Sequence, residues 1–221
     1  PDGSEVKTGI LPGESCTITV KAAGGKTAAR VVIPAELPAA KAFEDIGAEH
    51  WARRGVDTVS ALGLFEGTSE HTFTGDAGMT RGMIVTVLHR LSGGVEAEQS
   101  GQFSDVDSGA WYAGAVDWAA ENGIVRGVGS GLFAPEEEIS REMLITVLCR
   151  YAALLGLDTD AQEDALAPFT DSAQVSTWAE SSVAWAVEKG LISGGALRPG
   201  DTATRAEVAV ILTGFVDLLS K

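Results

Sequence analysis

Three stretches of the chain place apolar residues at the spacing of one helix face. They are Ile84, Val87, Leu88 and Leu91; then Leu144, Val147, Leu148 and Tyr151; then Val208, Ile211, Leu212 and Phe215. Apolar positions recurring every three or four residues predict an amphipathic helix with one face turned inward. A hydroxyl residue followed by Arg stands ahead of each stripe, at Thr80-Arg81, Ser140-Arg141 and Thr204-Arg205. Thr and Ser accept a hydrogen bond from the backbone of the first turn. The helices are therefore predicted to begin there, with the hydroxyl as N-cap and Arg at an exposed first helical position. Upstream, Trp111, Ala115, Trp118 and Ala119 repeat the helical spacing, and Trp178, Ser182, Trp185 and Ala186 repeat it again. Gly63, Gly123 and Gly190, each followed by Leu or Ile, predict the ends of these earlier helices as left-handed glycine caps.

The first 34 residues follow a different rhythm. Ser15–Lys21 and Thr27–Ile33 alternate and are rich in β-branched residues, with Gly24-Gly25 between them, which predicts a β-hairpin. A lone hairpin is marginal in water, so it must pack on the rest or end a truncated β module. Pro34 and Pro38 mark a linker after it, and residues 1–42 are assigned to hairpin and linker. Separated in this way and carrying no repeated position, the hairpin is expected to be dispensable for ligand binding.

From residue 43 onward the pattern repeats. Phe43-x-Asp45, Phe103-x-Asp105 and Phe169-x-Asp171 open three blocks. Each block runs on through a Trp (Trp51, Trp111, Trp178), a glycine pair four residues apart, and the hydroxyl-Arg step. Blocks one and two are offset by 60 residues at the Phe, the Trp, both glycines and the Arg. Such constant register identifies one supersecondary unit used three times, over about 43–102, 103–168 and 169–221. Three amphipathic helices bury their stripes most economically against one another. The expected fold is mainly α, three helix-loop-helix repeats in a pseudo-threefold bundle with a short N-terminal hairpin.

Charge narrows the partners. With 16 basic and 31 acidic residues the formal charge is -15, so the chain lacks the basic surface that nucleic acid requires. An anionic ligand would be held by a few cations at short range. No run approaches the roughly 20 apolar residues of a membrane span. Cys16 and Cys149 are read as separate thiols, and His50, His71 and His89 show no metal-ligand spacing. Gly127-Val-Gly129-Ser-Gly131 follows a helix and lacks the phosphate-loop Lys, and Asp105-Val-Asp107-Ser-Gly109 is too short for a calcium loop. No cofactor and no catalytic constellation is indicated.

The ordered set F-x-D, Trp, glycine pair, Phe133-Ala-Pro135 and Thr204-Arg205-Ala206-Glu207 resembles the S-layer homology domain family in its usual run of three. The resemblance covers residues 43–221. It implies a non-enzymatic anchor, extracellular on a bacterial cell wall, that binds secondary cell-wall polysaccharide, often through a pyruvate-ketal sugar. Departures are Met83 and Met143 where the family has Glu, Gly82 for Ala, Thr74-Gly75 in block one, and Leu197 for Phe in block three. The motif's Glu role thus carries only to Glu207, which also completes a capping box with Thr204.

Arg is electrostatically a slightly poor residue at a helix start, so its presence three times argues for a partner, internal or external. A helix N-terminus with unpaired N–H groups beside a forked cation suits a carboxylate. Arg81, Arg141, Arg205, Thr80, Ser140, Thr204 and Glu207 are the resulting ligand candidates. Internal pairing of the arginines with Asp45, Asp105 and Asp171 is the competing reading. Trp51, Trp111 and Trp178 are further candidates that fit a groove wall or the core equally. Trp118 and Trp185 are assigned to the core, and the aspartates to turn capping. No obligate protein partner is evident, although a protein-docking or self-association module is the alternative to a glycan anchor.

Overall fold

The structure is a computed structural model that describes residues 5–9, 16–22, 25–162 and 164–220. The predicted strand start at Ser15 and Gly24 of the predicted turn lie outside the described residues.

The predicted hairpin is present as β2 (Cys16–Lys21) and β3 (Thr27–Ile33), and β1 (Glu5–Gly9) adds a third antiparallel strand in the order β1-β2-β3. Cys16 pairs with Ile33, Ile18 with Val31 and Val20 with Ala29. Because side chains alternate across a strand, this register puts all six on one face, and that face is fully buried. The sheet covers one side of the helices and shares their hydrophobic core. Trp118 Nε1 donates to Ala28 O at 2.8 Å, Arg30 N donates to Ser92 O at 3.0 Å, and Cys16 Sγ donates to Leu219 O at 3.3 Å. Cys16 and Cys149 are both free thiols.

Among the described residues, six α-helices follow in pairs. They are α1 (Arg53–Ala61) with α2 (Arg81–Leu91), α3 (Ala113–Glu121) with α4 (Arg141–Leu154), and α5 (Glu180–Glu188) with α6 (Arg205–Leu219). None of them is long and apolar enough to cross a membrane. The second helix of each pair starts at the predicted Arg. Thr80 and Ser140 accept from Met83 N and Met143 N, and Thr204 with Glu207 forms the full capping box. The first helices end as predicted: Gly63, Gly123 and Gly190 have φ of 67°, 68° and 70°. The following N–H reaches back to Val59, Ala119 and Ala186. A residue with a Cβ resists this conformation, which is why glycine recurs there.

One expectation needs correction. Trp111 and Trp178 do not share the stripe of Trp118 and Trp185. Helices α3 and α5 begin two residues after those tryptophans, in a turn that leaves each of them pointing outward. Trp118 and Trp185 are fully buried, as predicted.

The helices pair between repeats rather than within them: α1 packs on α6, α3 on α2, and α5 on α4. The chain therefore closes on itself, its first helix against its last. On the pseudo-threefold axis the residues just before the caps form a ring. Met79 N donates to Ala203 O, Ala203 N to Ile139 O, and Ile139 N to Met79 O, at 3.0, 2.9 and 2.9 Å. All three side chains are buried, so every one of these bonds is shielded from water.

The α1–α6 seam that closes the ring depends on one glycine. A Cβ on Gly55 would lie 2.9 Å from both Cγ2 and the backbone N of Val210. Since α6 backbone cannot recede cheaply, Gly55→Ala is expected to cost about 2 kcal/mol, read as a lowered denaturation midpoint with unchanged slope.

Candidate functional site

The three repeat arginines are the centre of the site, and their surroundings differ from those expected. Arg81 and Arg141 are only 8% and 9% exposed, and Arg205 is half-buried, so the predicted exposed position is wrong. Each side chain crosses to the loop of the next repeat in the ring. Arg81 Nε donates to Phe133 O at 2.8 Å, Arg141 Nε to Leu197 O at 2.9 Å, and Arg205 Nε to Phe73 O at 2.8 Å. A second arm reaches the same loop twice more, Arg81 Nη2 to Arg126 O and Arg205 Nη2 to Glu66 O, at 3.1 and 2.8 Å. The Phe of each loop is also a platform, with Arg81 4.7 Å from the Phe133 ring centre and Arg205 4.6 Å from that of Phe73. Leu197 removes this platform from Arg141. There Glu207 takes its place, accepting from Arg141 Nη1 at 2.9 Å and pairing with Arg198 as well. Burial lowers the pKa of all three guanidiniums, which stay charged all the same.

The helix N-termini are occupied too. The N–H groups of Arg81 and Gly82 donate to Glu137 O and Pro135 O; Arg141 and Glu142 bind Asp201 O and Pro199 O; Arg205 and Ala206 bind Ala77 O and Gly75 O. Together with the cap hydroxyl they engage the first three N–H groups of each helix. The unpaired helix terminus expected from the sequence is therefore filled by the neighbouring loop.

The arginines do not pair with the aspartates either. Asp45 accepts from Phe73 N and Thr74 N, Asp105 from Phe133 N and Ala134 N, and Asp171 from Leu197 N and Arg198 N, all at 2.7 to 2.9 Å. This is the turn-capping role predicted for them. The second residue of each loop pair sits at φ of 56°, 58° or 50° without being glycine, a strained conformation that the carboxylate clamp holds. Burial pushes the Asp45 and Asp105 carboxyls up, but the two N–H donors together outweigh it. At Asp171 the Leu197 and Arg198 N–H groups dominate, and all three carboxyls lie below their ordinary values. A lowered folded-state pKa adds stability above the ordinary Asp range, about 3.9, that is lost as pH falls through the depressed values. Thermal midpoints measured between pH 6 and 2.5 should drop at the acid end, and Asp105→Ala should flatten that drop.

Around Arg205 and Arg141 lie grooves assembled from all three repeats. Arg205 lines one cavity of about 190 Å³ with Leu64–Gly67, Met83, Thr86 and Arg90, and Trp111 from the next block forms its far wall. Arg141 lines another of about 420 Å³ with Leu191–Ser193, Arg198, Glu207 and Val210, walled by Trp51. The register of the repeats assigns Arg81, the loop 124–127, the α4 face from Met143 to Arg150, and Trp178 to the third. Trp51, Trp111 and Trp178 are 62%, 61% and 51% exposed, which rules out the core reading for them, and Trp111 and Trp51 line the two cavities. Glu142, two residues into α4, accepts from both N and Oγ of Ser176 and so fixes the turn that carries Trp178.

Arg90 and Arg150 lie outside the repeated hydroxyl-Arg motif. Each follows its repeat arginine by nine residues on the same helix, where the third repeat has Gly214. That spacing was the available signal.

The arrangement can hold a flat, partly apolar, acidic ligand: an aromatic wall, a fixed guanidinium and carbonyl-lined ends. Among known proteins, the pattern of the S-layer homology domain matches residues 42–82, 102–142 and 168–209. The chain is 31% identical over 80% of its length to part of an amylopullulanase of Thermoanaerobacterium thermosulfurigenes. It is 29% identical over 76% of its length to a surface-layer 125 kDa protein of Lysinibacillus sphaericus, and 28% over 85% to the S-layer protein sap of Bacillus anthracis. It spans only 10%, 14% and 23% of those three proteins. Three matched repeats over more than half the chain, closed into one ring, make it a member of the S-layer homology domain family, the cell-wall anchoring module of bacterial surface proteins.

Proposed function

We propose that the grooves bind secondary cell-wall polysaccharide bearing acidic, pyruvate-ketal sugars, and that the chain anchors a larger surface protein without catalysing any reaction. The observation that carries this reading is the juxtaposition of an exposed Trp with a clamped Arg in a concave groove, seen at Arg205 with Trp111 and at Arg141 with Trp51 and repeated by register at Arg81. Sugar C–H faces lie against Trp51, Trp111 and Trp178. The N–H edges of Arg81, Arg141 and Arg205 that the loop carbonyls leave open take the carboxylate. Because those guanidiniums are already fixed, little side-chain entropy is lost on binding. The cap hydroxyls of Thr80, Ser140 and Thr204 belong to the same contact set, and Glu207 acts as the charge partner of Arg141.

Calorimetric titration with purified wall polysaccharide, before and after removal of its acidic substituents, tests this. Binding should fall sharply once the acid is gone. The combined variant Trp51→Ala, Trp111→Ala, Trp178→Ala should keep its fold, since all three side chains are exposed, and lose affinity at least roughly tenfold. If instead the polysaccharide is ignored while the chain self-associates through the tryptophans in sedimentation, the protein-docking alternative is correct.

A further inference from the structure

The three grooves share a backbone but not a charge. At the loop position before the second glycine they carry Glu66, Arg126 and Ser193. At the third helical position they carry Met83, Met143 and Glu207, and nine residues after the repeat arginine they carry Arg90, Arg150 and Gly214. In the Arg141 groove, Glu207 lies against both Arg141 and Arg198. In the Arg205 groove, one acid, Glu66, lines the cavity with two arginines, its backbone O accepting from Arg205 Nη2, and Arg90 is tied by Nη1 to Leu64 O at 3.1 Å.

The Arg81 groove has three arginines and no acid at these places. Among the described residues, none of Arg81, Arg126 and Arg150 has a carboxylate within salt-bridge distance. Burial, and after it the charge of Arg126, disfavours the protonated form of Arg150. The acids close by are spent elsewhere: Asp105 on the N–H groups of Phe133 and Ala134, Glu142 on Ser176. Glu137 and, after it, Asp105 attract Arg81 only through their fields. Gathering like charges without a counter-ion opposes folding. In a chain with nearly twice as many acidic as basic residues it also departs from the surroundings.

Building on the glycan reading above, we infer that the Arg81 groove is the principal site for the ligand's acidic group, and that the Arg141 groove, whose Arg141 and Arg198 are balanced by Glu207 and Asp201, contributes least. Met143 is what keeps the Arg81 groove open. Glu at that position would supply to Arg81 what Glu207 supplies to Arg141.

The test uses the whole chain and two probes, a pyruvate-ketal hexosamine methyl glycoside and its neutral counterpart without the ketal. Met143→Glu should fold at least as well as the parent, because it completes a capping box with Ser140. It should bind the acidic probe roughly tenfold more weakly, the loss expected for one charge-assisted hydrogen bond. Arg126→Gln with Arg150→Gln should lose a similar factor and reduce the salt dependence of binding. Lys26→Gln, which removes a cation paired with Glu121 away from the grooves, should change affinity less than about twofold. If the parent binds the acidic probe and the Met143 and double-arginine variants bind it equally well, the assignment to this groove is wrong while the glycan reading stands. If the parent does not distinguish the acidic probe from the neutral one, the glycan reading fails as well.

Discussion

Deleting residues 1–33 is expected to unfold or severely loosen the helical repeats, not merely to trim them. The alternating face of β2 and β3 is part of the same core as the helices, and Ile18, Val20, Val31 and Ile33 are all buried in it. Each such side chain is worth about 1.5–3 kcal/mol on burial, so their joint loss rivals the whole stability of a domain this size. Two further ties go with them: the bond from Trp118 Nε1 to Ala28 O, and that from Arg30 N to Ser92 O at the end of α2. Without the sheet, the Trp118 donor is left orphaned at the edge of the core. Circular dichroism and a denaturant titration of the truncated chain would check this. A truncated chain that melts at the parent's temperature would show the sheet to be an accessory layer, as its linker of prolines first suggested. Against the expectation from the sequence that residues 1–38 can be deleted without loss of affinity, the shared core predicts that affinity falls because the fold does.

The combined variant Arg81→Ala, Arg141→Ala, Arg205→Ala should fail to fold cooperatively. Hydrogen bonds to a charged donor contribute about 1.5–3 kcal/mol each, and Arg205 alone makes two to carbonyls across the seam between the last repeat and the first. Its guanidinium also covers Phe73 and Phe65. Removing it costs about 3 kcal/mol even after partial rehydration of the exposed carbonyls, and three such losses are comparable with the usual margin of stability, about 5–15 kcal/mol. Lost ligand binding in these alanine variants would therefore report unfolding rather than a missing contact. Arg205→Lys is the sharper probe: it keeps the charge but lacks the planar fork that spans two carbonyls. It should lower the thermal midpoint clearly while leaving the domain folded at room temperature. If the triple alanine variant instead melts like the parent, the arginine clamps are energetically idle and the exposed-ligand reading of these residues regains its force.

What could be read from the residues alone is whatever obeys local rules. The three helix stripes, the Thr80, Ser140 and Thr204 caps, the left-handed Gly63, Gly123 and Gly190, and the turn-capping aspartates all lie where their chemistry predicts. Each depends on neighbours within a few residues, or on a repeat whose register is written three times. The family likeness was legible for the same reason.

Two properties were not. The outward turn of Trp111 and Trp178 depends on helices α3 and α5 starting two residues late, which helical spacing alone cannot distinguish from an earlier start. The fate of the arginines depends on which loop meets which helix. A first-turn Arg beside unpaired N–H groups suggests an anion as long as the repeat is considered alone. Cyclic closure brings the next repeat's carbonyls to Arg81, Arg141 and Arg205, and those carbonyls occupy the N–H groups and fix the side chains. The residue types and their spacing were local information; the partner that satisfies each buried donor lies 52 to 132 positions away, and only the packing of the whole chain brings it there.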